Sequence, residues 1–176
     1  MKSQTPQRKN IGPALVLAAL ALTVASVRAE TKVGDVFPAL DSSSLVALGG
    51  SEIPATAGKV VLVDFWASWC APCKASFPMM SRLHQAFAPR GLVVAAIGVD
   101  EKPAAAAAFA RKLAPPFSTF HDRDQKLVKQ VIVPTMPTSY LLGRDGRVRF
   151  VHSGFHGDVT ERELRKQIES LLAEIK

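Results

Sequence analysis

The pattern of apolar and polar positions predicts an alternation of strands and helices. Two apolar runs rich in β-branched residues, 60–65 and 92–99, have the composition of strands buried on both faces of a sheet. Between them, residues 70–87 carry apolar side chains at helical spacing, which predicts a helix with one buried face. Pro72 suits the first turn of this helix, whereas Pro78 predicts a kink in it.

The second half of the chain predicts three further helices and a hairpin. The predicted elements are helices at 103–113 and 124–131, strands at 139–142 and 148–151, and a final helix that starts near 160. The Asp145–Gly146 step between the two strands is typical of a tight β-hairpin turn. Thr160 and Glu163 have the spacing of a capping box, which predicts the start of the last helix.

The alternation begins in a less regular N-terminal extension. Residues 31–56 place turn residues between short apolar pieces, which predicts an extension with one or two short strands. The order strand, helix, strand, helix, hairpin, helix indicates an α/β fold in which helices flank a central mixed sheet. The length of 30–176 suits a single domain of this kind.

Residues 1–29 predict a secretory signal peptide. Basic residues without an acid lie within 1–10, a run of 17 almost wholly apolar residues follows at 11–27, and small residues precede a cleavage site after Ala29. The apolar run is also at the short limit of a membrane span, so an uncleaved anchor is the main alternative, ahead of a buried helix. In either case of export, the domain at 30–176 is expected in the periplasm or another extracytoplasmic space.

Charge changes this picture little. The predicted signal peptide holds four of the 22 basic residues and none of the 15 acidic ones, so the formal net charge of +7 falls to +3 without it. The remaining basic residues are scattered and form no long run, which argues against nucleic-acid binding. We therefore expect no nucleic-acid partner.

Cys70 and Cys73 are the only cysteines of the chain. A disulfide that closes so small a loop would stabilise the fold little, by roughly 2 kcal/mol, so redox chemistry explains the pair better than a structural role. A zinc site would need more ligands than one such pair provides. Haem attachment would need a histidine after the second cysteine, where the chain has Lys74.

The predicted helix assigns different roles to the two sulfurs. At the helix N-terminus, the amides and the helix dipole favour a thiolate, so Cys70 is expected to be the exposed, acidic sulfur. Cys73, one turn inside, is expected to be more buried. Cys70 would then attack a substrate disulfide, and Cys73 would resolve the mixed disulfide. In the oxidising direction the same steps run backwards.

Residues 63–74, with the sequence VDFWASWCAPCK, closely resemble the active-site segment of thioredoxins. From about 33 to 175 the chain is similar to the TlpA/ResA-type thioredoxin-like oxidoreductases of bacterial envelopes. The features that carry this resemblance are the extension before Gly58, the segment at 99–120, and the Pro137–Thr138 step ahead of the hairpin. The resemblance implies a thioredoxin fold and thiol–disulfide exchange at the CxxC pair.

The resemblance also implies a cis-proline opposite the cysteines. Pro134 and Pro137 are both followed by threonine, and Pro137 fits the family's distance to the hairpin better, with a plain trans turn as the alternative. Such a bend lets the neighbouring backbone pair with an incoming peptide. Met136 would contact the substrate and keep metals away from the sulfurs. Trp69 and Pro72 beside the cysteines complete the expected substrate-binding set.

One departure from the TlpA/ResA pattern concerns proton transfer. The position of Asp64 is often Asn in that group, and the position of Ser76 is often Glu. A buried carboxyl group near the cysteines would have a raised pKa and could shuttle the proton of Cys73. We expect Asp64 to do this alone. The alternative is a structural aspartate paired with Lys74 or Lys102.

The direction of exchange follows from the same resemblance. It implies a reductase of envelope protein disulfides, for instance in cytochrome c maturation, supplied with electrons by a membrane partner. The Ala71–Pro72 dipeptide agrees, because strong oxidants place a histidine between their cysteines. A thiol oxidant or isomerase is the alternative, and a non-catalytic metal or haem chaperone is less favoured. We expect a monomer with no metal and no cofactor beyond the redox-active disulfide.

Overall fold

The computed structural model describes residues 29–174, which form a six-stranded sheet and four α-helices. In chain order the elements are β1 (Leu45–Leu48), β2 (Val60–Trp66), α1 (Ala71–Phe87), β3 (Leu92–Gly98), α2 (Pro103–Leu113), β4 (Ser118–Asp122), α3 (Lys126–Val131), β5 (Thr138–Leu142), β6 (Val148–Ser153) and α4 (Asp158–Ala173). Short 3₁₀ turns follow α1 and precede α3. The body of the predicted signal peptide, residues 1–28, lies outside the described residues.

The two central strands are the apolar runs that the sequence predicts. β2 and β3 pair in parallel, and nearly all of their side chains are buried. The sheet order is β1-β4-β3-β2-β5-β6. β4 is also parallel to β3, whereas β1 and β5 run antiparallel to their neighbours β4 and β2, and β6 is antiparallel to β5. The prediction of an α/β fold with a central mixed sheet is therefore confirmed.

β4 is not predicted from the sequence, because polar side chains occupy most of this buried strand. Thr119, His121 and Asp122 are each less than 5% exposed, although residues of these types usually signal a surface or a loop. Each has a partner: for example, His121 Nε2 donates to the Asp100 carbonyl oxygen at 2.8 Å. Because the polar groups are hydrogen-bonded, their burial between β1 and β3 is tolerated.

The predicted start of the last helix is wrong. α4 begins at Asp158 with Gly157 as its N-cap, so Thr160 lies inside the helix and does not cap it. Gly157 has φ +60°, a left-handed value that glycine adopts without the steric penalty of other residues. The Thr160 hydroxyl accepts a hydrogen bond from the His156 N–H at 3.0 Å, and Glu163 approaches β6 instead of the helix N-terminus.

The helix after the cysteines has the predicted amphipathic form. α1 continues through Pro78, and its buried side chains lie on one face. It packs beside α4, to which it is joined by an ion pair between Arg82 and Glu161. Across the range 29–174, no helix combines the length and apolarity needed to cross a bilayer.

Candidate active site

The cysteine pair lies where β2 ends and α1 begins. Cys70 is the N-cap of α1, and its sulfur accepts a hydrogen bond from the Cys73 N–H at 3.1 Å. Pro72 occupies the first turn, where its missing N–H forfeits no helical hydrogen bond. The first turn of α1 carries no acidic residue to offset the positive end of the helix dipole. In the reduced protein this position favours a thiolate at Cys70.

Cys70 and Cys73 are joined by a disulfide bond. Their Cα atoms are 5.3 Å apart, within the range usual for disulfides. Cys70 is 5% exposed, whereas Cys73 is fully buried. An outside thiol therefore meets the disulfide at Cys70. The predicted order of accessibility is found, although Cys70 is itself almost fully buried and not exposed as expected.

Asp100, just beyond β3, fastens the loop that precedes Cys70. Its carboxylate is 3% exposed and accepts hydrogen bonds from the Ser68 N–H at 3.0 Å and from the Ser68 hydroxyl. β2 and β3 are parallel, so their carboxyl ends lie at the same edge of the sheet. Trp69, which follows Ser68 in this loop, is 72% exposed. The loop thus presents an aromatic side chain next to Cys70, and the hydrogen bonds to Asp100 hold the backbone of the loop in place.

The segment before β5 reaches the same edge of the sheet. β5 pairs with β2, and Thr138 at its start lies opposite Phe65 near the end of β2. The peptide bond between Met136 and Pro137 is cis, the conformation that the family resemblance implies at this proline. Pro137 is buried and Met136 is half-buried. Within 29–174 no backbone hydrogen bond engages Met136, so its N–H and C=O are open to an added strand.

Asp64 in β2 is a buried carboxyl group that accepts one hydrogen bond from the residues described by the structure. It is 1% exposed, and its Oδ1 accepts from the Ser139 hydroxyl at 2.6 Å. Its Oδ2 has no hydrogen-bond partner among the described residues. Burial raises the pKa of Asp64 to about 7, and the hydrogen bond from Ser139 opposes that rise. Among residues 29–174, neither Lys74 nor Lys102 forms an ion pair with Asp64.

Ser76 does not supply a second proton-transfer group. It is buried on α1, and its hydroxyl donates to the Cys73 carbonyl oxygen at 2.8 Å. A serine hydroxyl does not ionise near neutral pH, so it cannot act as a base in the way that a carboxylate can. Asp64 therefore remains the candidate for moving the proton of Cys73.

Two residues of this region, Asp100 and Ser139, are not among those predicted from the sequence. Asp100 had a usable signal, since an acidic residue shortly after a buried strand lies at the edge where parallel strands end. Ser139 had none in its own neighbourhood, because its partner Asp64 is 75 positions away in the chain.

Comparisons with known proteins agree with this geometry. The model of the Redoxin family matches residues 32–168. The thiol-disulfide oxidoreductase ResA of Geobacillus kaustophilus is 27% identical over 114 residues, which cover 65% of this chain and 64% of that protein. ResA of Bacillus subtilis is 32% identical over 97 residues, which cover 55% of this chain and 54% of that protein. The chain thus spans less than two thirds of the length of either relative.

A solved structure matches over a longer range. The crystal structure of a protein from Chlorobium tepidum, named as a thiol:disulfide interchange protein DsbE, has a TM-score of 0.71 and 32% identity to this chain. The match covers 82% of this chain and 100% of that one. The similarity therefore includes the whole of that domain, with the sheet and the helices that hold the cysteine pair.

Proposed function

The chain belongs to the Redoxin family, and on that premise we propose that it is a thioredoxin-like thiol:disulfide oxidoreductase that reduces disulfide bonds of exported proteins. One observation carries the proposal: the Cys70–Cys73 disulfide lies at the N-terminus of α1 and retains exposure only at Cys70. The names of the ResA and DsbE relatives support the same reaction class.

The proposed reaction is a two-step exchange between the two cysteine sulfurs of the protein and a substrate disulfide. In the reduced protein, the Cys70 thiolate attacks one sulfur of the substrate and forms a mixed disulfide, while the other substrate sulfur leaves as a thiolate. Cys73 then attacks the Cys70 sulfur and releases the second substrate thiol. The protein loses two electrons and two protons, and the substrate gains both. The product form of the protein is the disulfide seen in the structure.

Asp64 is proposed to accept the proton of Cys73 in the second step. A buried Cys73 is a poor nucleophile as a thiol, so its attack needs a base. A pKa of about 7 leaves a useful fraction of Asp64 ionised at neutral pH and still able to return the proton. The leaving substrate thiolate is the natural recipient of that proton.

The substrate is proposed to lie between the cysteine loop and the segment before β5. Trp69 and Pro72 would flank the mixed disulfide on one side, with Met136 and Pro137 on the other. The open backbone groups of Met136 would pair with an extended peptide of the substrate. Recognition by backbone hydrogen bonds suits an enzyme that acts on proteins presenting different side chains.

The direction, location and partners are proposed from the sequence and the relatives. The predicted signal peptide indicates export to the periplasm or an equivalent space, where disulfides persist and a reductant must be resupplied. A membrane-bound dithiol donor would re-reduce Cys70, and the protein would act as a monomer. Apocytochromes awaiting haem are the proposed substrates, because each presents a closely spaced cysteine pair.

Reduction of insulin disulfides tests the reaction class. The protein purified from the full-length gene, with dithiothreitol as the electron source, should accelerate insulin precipitation. Cys70→Ser and Cys73→Ser should each abolish the acceleration. If the wild-type protein transfers electrons in neither direction, to a disulfide nor from a dithiol, a non-catalytic module becomes the better description.

Trapping in cells tests the substrate and the direction. Cys73→Ser should accumulate a mixed disulfide at Cys70, and the matched Cys70→Ser variant should accumulate none. Apocytochromes attached to Cys70 would support the reductase role in cytochrome c maturation. A broad set of newly exported proteins would instead favour a thiol oxidant or isomerase.

A further inference from the structure

We propose that Ser139 is a positioning residue for proton transfer. Its hydroxyl donates a hydrogen bond to Oδ1 of Asp64, so Oδ2 is the oxygen that gains and loses the proton. The inference rests on the proposed function, because it concerns how Asp64 serves Cys73. It adds a residue from a different strand to the site. It also states which oxygen of the carboxyl group exchanges its proton.

The register of the sheet places Ser139 directly beside Asp64. The two residues are opposite each other in the antiparallel β2–β5 pair, and opposite residues point to the same face. Both are buried, and the distance from the Ser139 oxygen to Oδ1 is 2.6 Å. A distance this short is typical of a hydroxyl that donates to an ionised oxygen.

The hydrogen bond makes the two carboxyl oxygens unequal. Oδ1 accepts the Ser139 proton, whereas Oδ2 has no partner within residues 29–174. If Asp64 were protonated on Oδ1, the Ser139 hydroxyl would have to turn from donor to acceptor, and the buried Oδ2 would still lack a hydrogen bond. Protonation on Oδ2 keeps the Ser139 bond and turns the free oxygen into a donor. Ser139 thereby fixes the site of proton exchange.

Ser139 is suited to this role in a way that its neighbour Thr138 is not. Alternate residues of a strand point to opposite faces, so only one of two adjacent hydroxyls can reach Asp64. The Thr138 hydroxyl donates to the Thr135 carbonyl oxygen at 2.8 Å and so closes the loop around Pro137. The Thr138 hydroxyl thus holds the loop around Pro137, whereas the Ser139 hydroxyl binds Asp64.

Among the described residues, no charged side chain contributes to the pKa shift of Asp64. On β3 its partner in the register is Ala96, which does not titrate. The N-terminal end of α1, which follows β2 in the chain, carries Cys70 and Cys73. These residues form a disulfide in the structure and titrate only when reduced. These sulfurs are the groups whose proton Asp64 is proposed to move.

Beyond Ser139, the line of opposite residues that starts at Asp64 continues into β6 with a titratable side chain. His152 of β6 lies opposite Ser139, so Asp64, Ser139 and His152 face the same side of the sheet. His152 is engaged by α4: its Nε2 is 2.7 Å from Gln167 Oε1, and its Nδ1 is 3.7 Å from Glu163 Oε2. Any test must therefore separate the effect of Ser139 from that of His152.

The pH dependence of the resolving step tests the proposal. Reduced protein is mixed with dithionitrobenzoate, and two thionitrobenzoate ions are released: one when Cys70 reacts, the other when Cys73 resolves the mixed disulfide. We expect Ser139→Ala to move the pH midpoint of the second phase up by about one unit, since a hydrogen bond to the ionised carboxylate is lost. The second phase should slow about fivefold at pH 7, and the first should not change.

Two further variants make this test specific. Ser139→Thr, which keeps the hydroxyl, should restore the wild-type pH profile. His152→Gln should leave the profile in place. A Ser139→Ala profile that overlays that of the wild type overturns the proposal, and so does an equal shift in His152→Gln.

A spectroscopic readout serves where a variant exchanges thiols poorly. The infrared carbonyl stretch of protonated Asp64 can be titrated in the oxidised protein and identified by its absence in Asp64→Asn. Ser139→Ala should raise its midpoint and change its frequency, because the hydrogen bond at Oδ1 is lost. An unchanged band overturns the positioning role even if the thiol chemistry is intact. A wild-type protein that releases no second thionitrobenzoate refutes the proposed function instead.

Discussion

Asp64 and Asp122 are both buried carboxyl groups of the central sheet, but they differ in how many hydrogen bonds they accept. Asp122, at the end of β4, is fully buried and accepts from the Leu127 N–H at 3.0 Å and the Val128 N–H at 2.7 Å. Asp64 accepts one hydrogen bond and has a buried oxygen with no partner in the described chain. Burial alone therefore does not identify a proton-transfer group.

The hydrogen bonds of the two groups indicate different uses. Asp122 satisfies two N–H groups in the first turn of α3, groups that have no partner inside the helix. It holds α3 against the sheet. Among residues 29–174, Asp64 accepts from no helix N–H, and its unpaired Oδ2 is the proposed site of proton exchange. The comparison predicts that replacing each carboxylate by its amide damages a different property.

The largest expected difference is in the pH dependence of stability. The pKa of Asp64 in the folded protein, about 7, is above the ordinary value of 3.8, so the folded state binds this proton more tightly than the unfolded chain does. This contribution favours folding below pH 4 and is lost as the pH rises from about 4 to 7. The full loss is about 4 kcal/mol.

Asp64→Asn removes this titration, so the variant should gain stability relative to the wild type as the pH rises. The free energy of unfolding of the oxidised proteins, measured in urea from pH 4 to pH 8, checks this expectation. The oxidised state is required because its cysteines do not titrate. A stability difference that is constant over this range would contradict the assignment of a strongly raised pKa to Asp64.

The next effect is kinetic and separates the two carboxylates directly. Asp64→Asn should slow the resolving attack of Cys73 by about 100-fold at pH 7, the usual scale for the loss of a general base. Asp122→Asn should resolve mixed disulfides at the wild-type rate, because Asp122 is committed to α3. The second phase of thionitrobenzoate release measures both. Equal slowing in the two variants would mean that the rate reports the integrity of the fold.

The elements that the sequence predicted correctly are those with a local pattern. β2, β3 and α1 have long apolar runs or a helical period, and the same pattern places Cys70 and Cys73 at the start of a helix. The raised pKa expected for Asp64 also agrees with the structure. In each case the evidence lies within a few residues of the position concerned.

The contacts that the sequence analysis missed join residues that are far apart in the chain. Ser139 is 75 positions from Asp64, and Asp100 is 32 positions from Ser68. Such pairs leave no periodic trace, because only the register of the strands brings them together. Asp122 adds to this difficulty, since a polar residue at the end of a strand resembles a surface position until its N–H partners are known.

A smaller effect should follow from Asp122→Asn on stability. The amide offers one acceptor in place of two, so one N–H of α3 loses its partner, and the expected loss is about 2 kcal/mol in the free energy of unfolding. Hydrogen exchange should become faster at the amides of Leu127 and Val128 in particular. Glu101→Gln, an exposed change, is the control. Unchanged protection of these two amides would contradict the view that Asp122 holds α3.

Replacing Asp100 should have the smallest effect of the changes considered. Asp100 resembles Asp122 in its hydrogen bonds and Asp64 in its position near the cysteines. Like Asp122, it accepts two hydrogen bonds, but they come from the Ser68 N–H and hydroxyl in the loop that presents Trp69. Asp100→Ala should therefore loosen the proposed docking surface, formed by Trp69 and Pro72, without changing the reaction of the sulfurs. We expect a KM for a protein disulfide about fivefold higher, equivalent to about 1 kcal/mol, with kcat unchanged.

A small disulfide reagent separates docking from chemistry in this variant. The first phase of thionitrobenzoate release should be nearly normal in Asp100→Ala, since a small reagent needs little of the Trp69 surface. Trp69→Ala should reproduce the rise in KM, and combining the two changes should add little, because both act on one contact. A fall in kcat with the small reagent would place Asp100 with Asp64, as a group that acts on the sulfurs themselves. The number of hydrogen bonds that a buried carboxylate accepts would then no longer distinguish a structural carboxylate from one that takes part in the reaction.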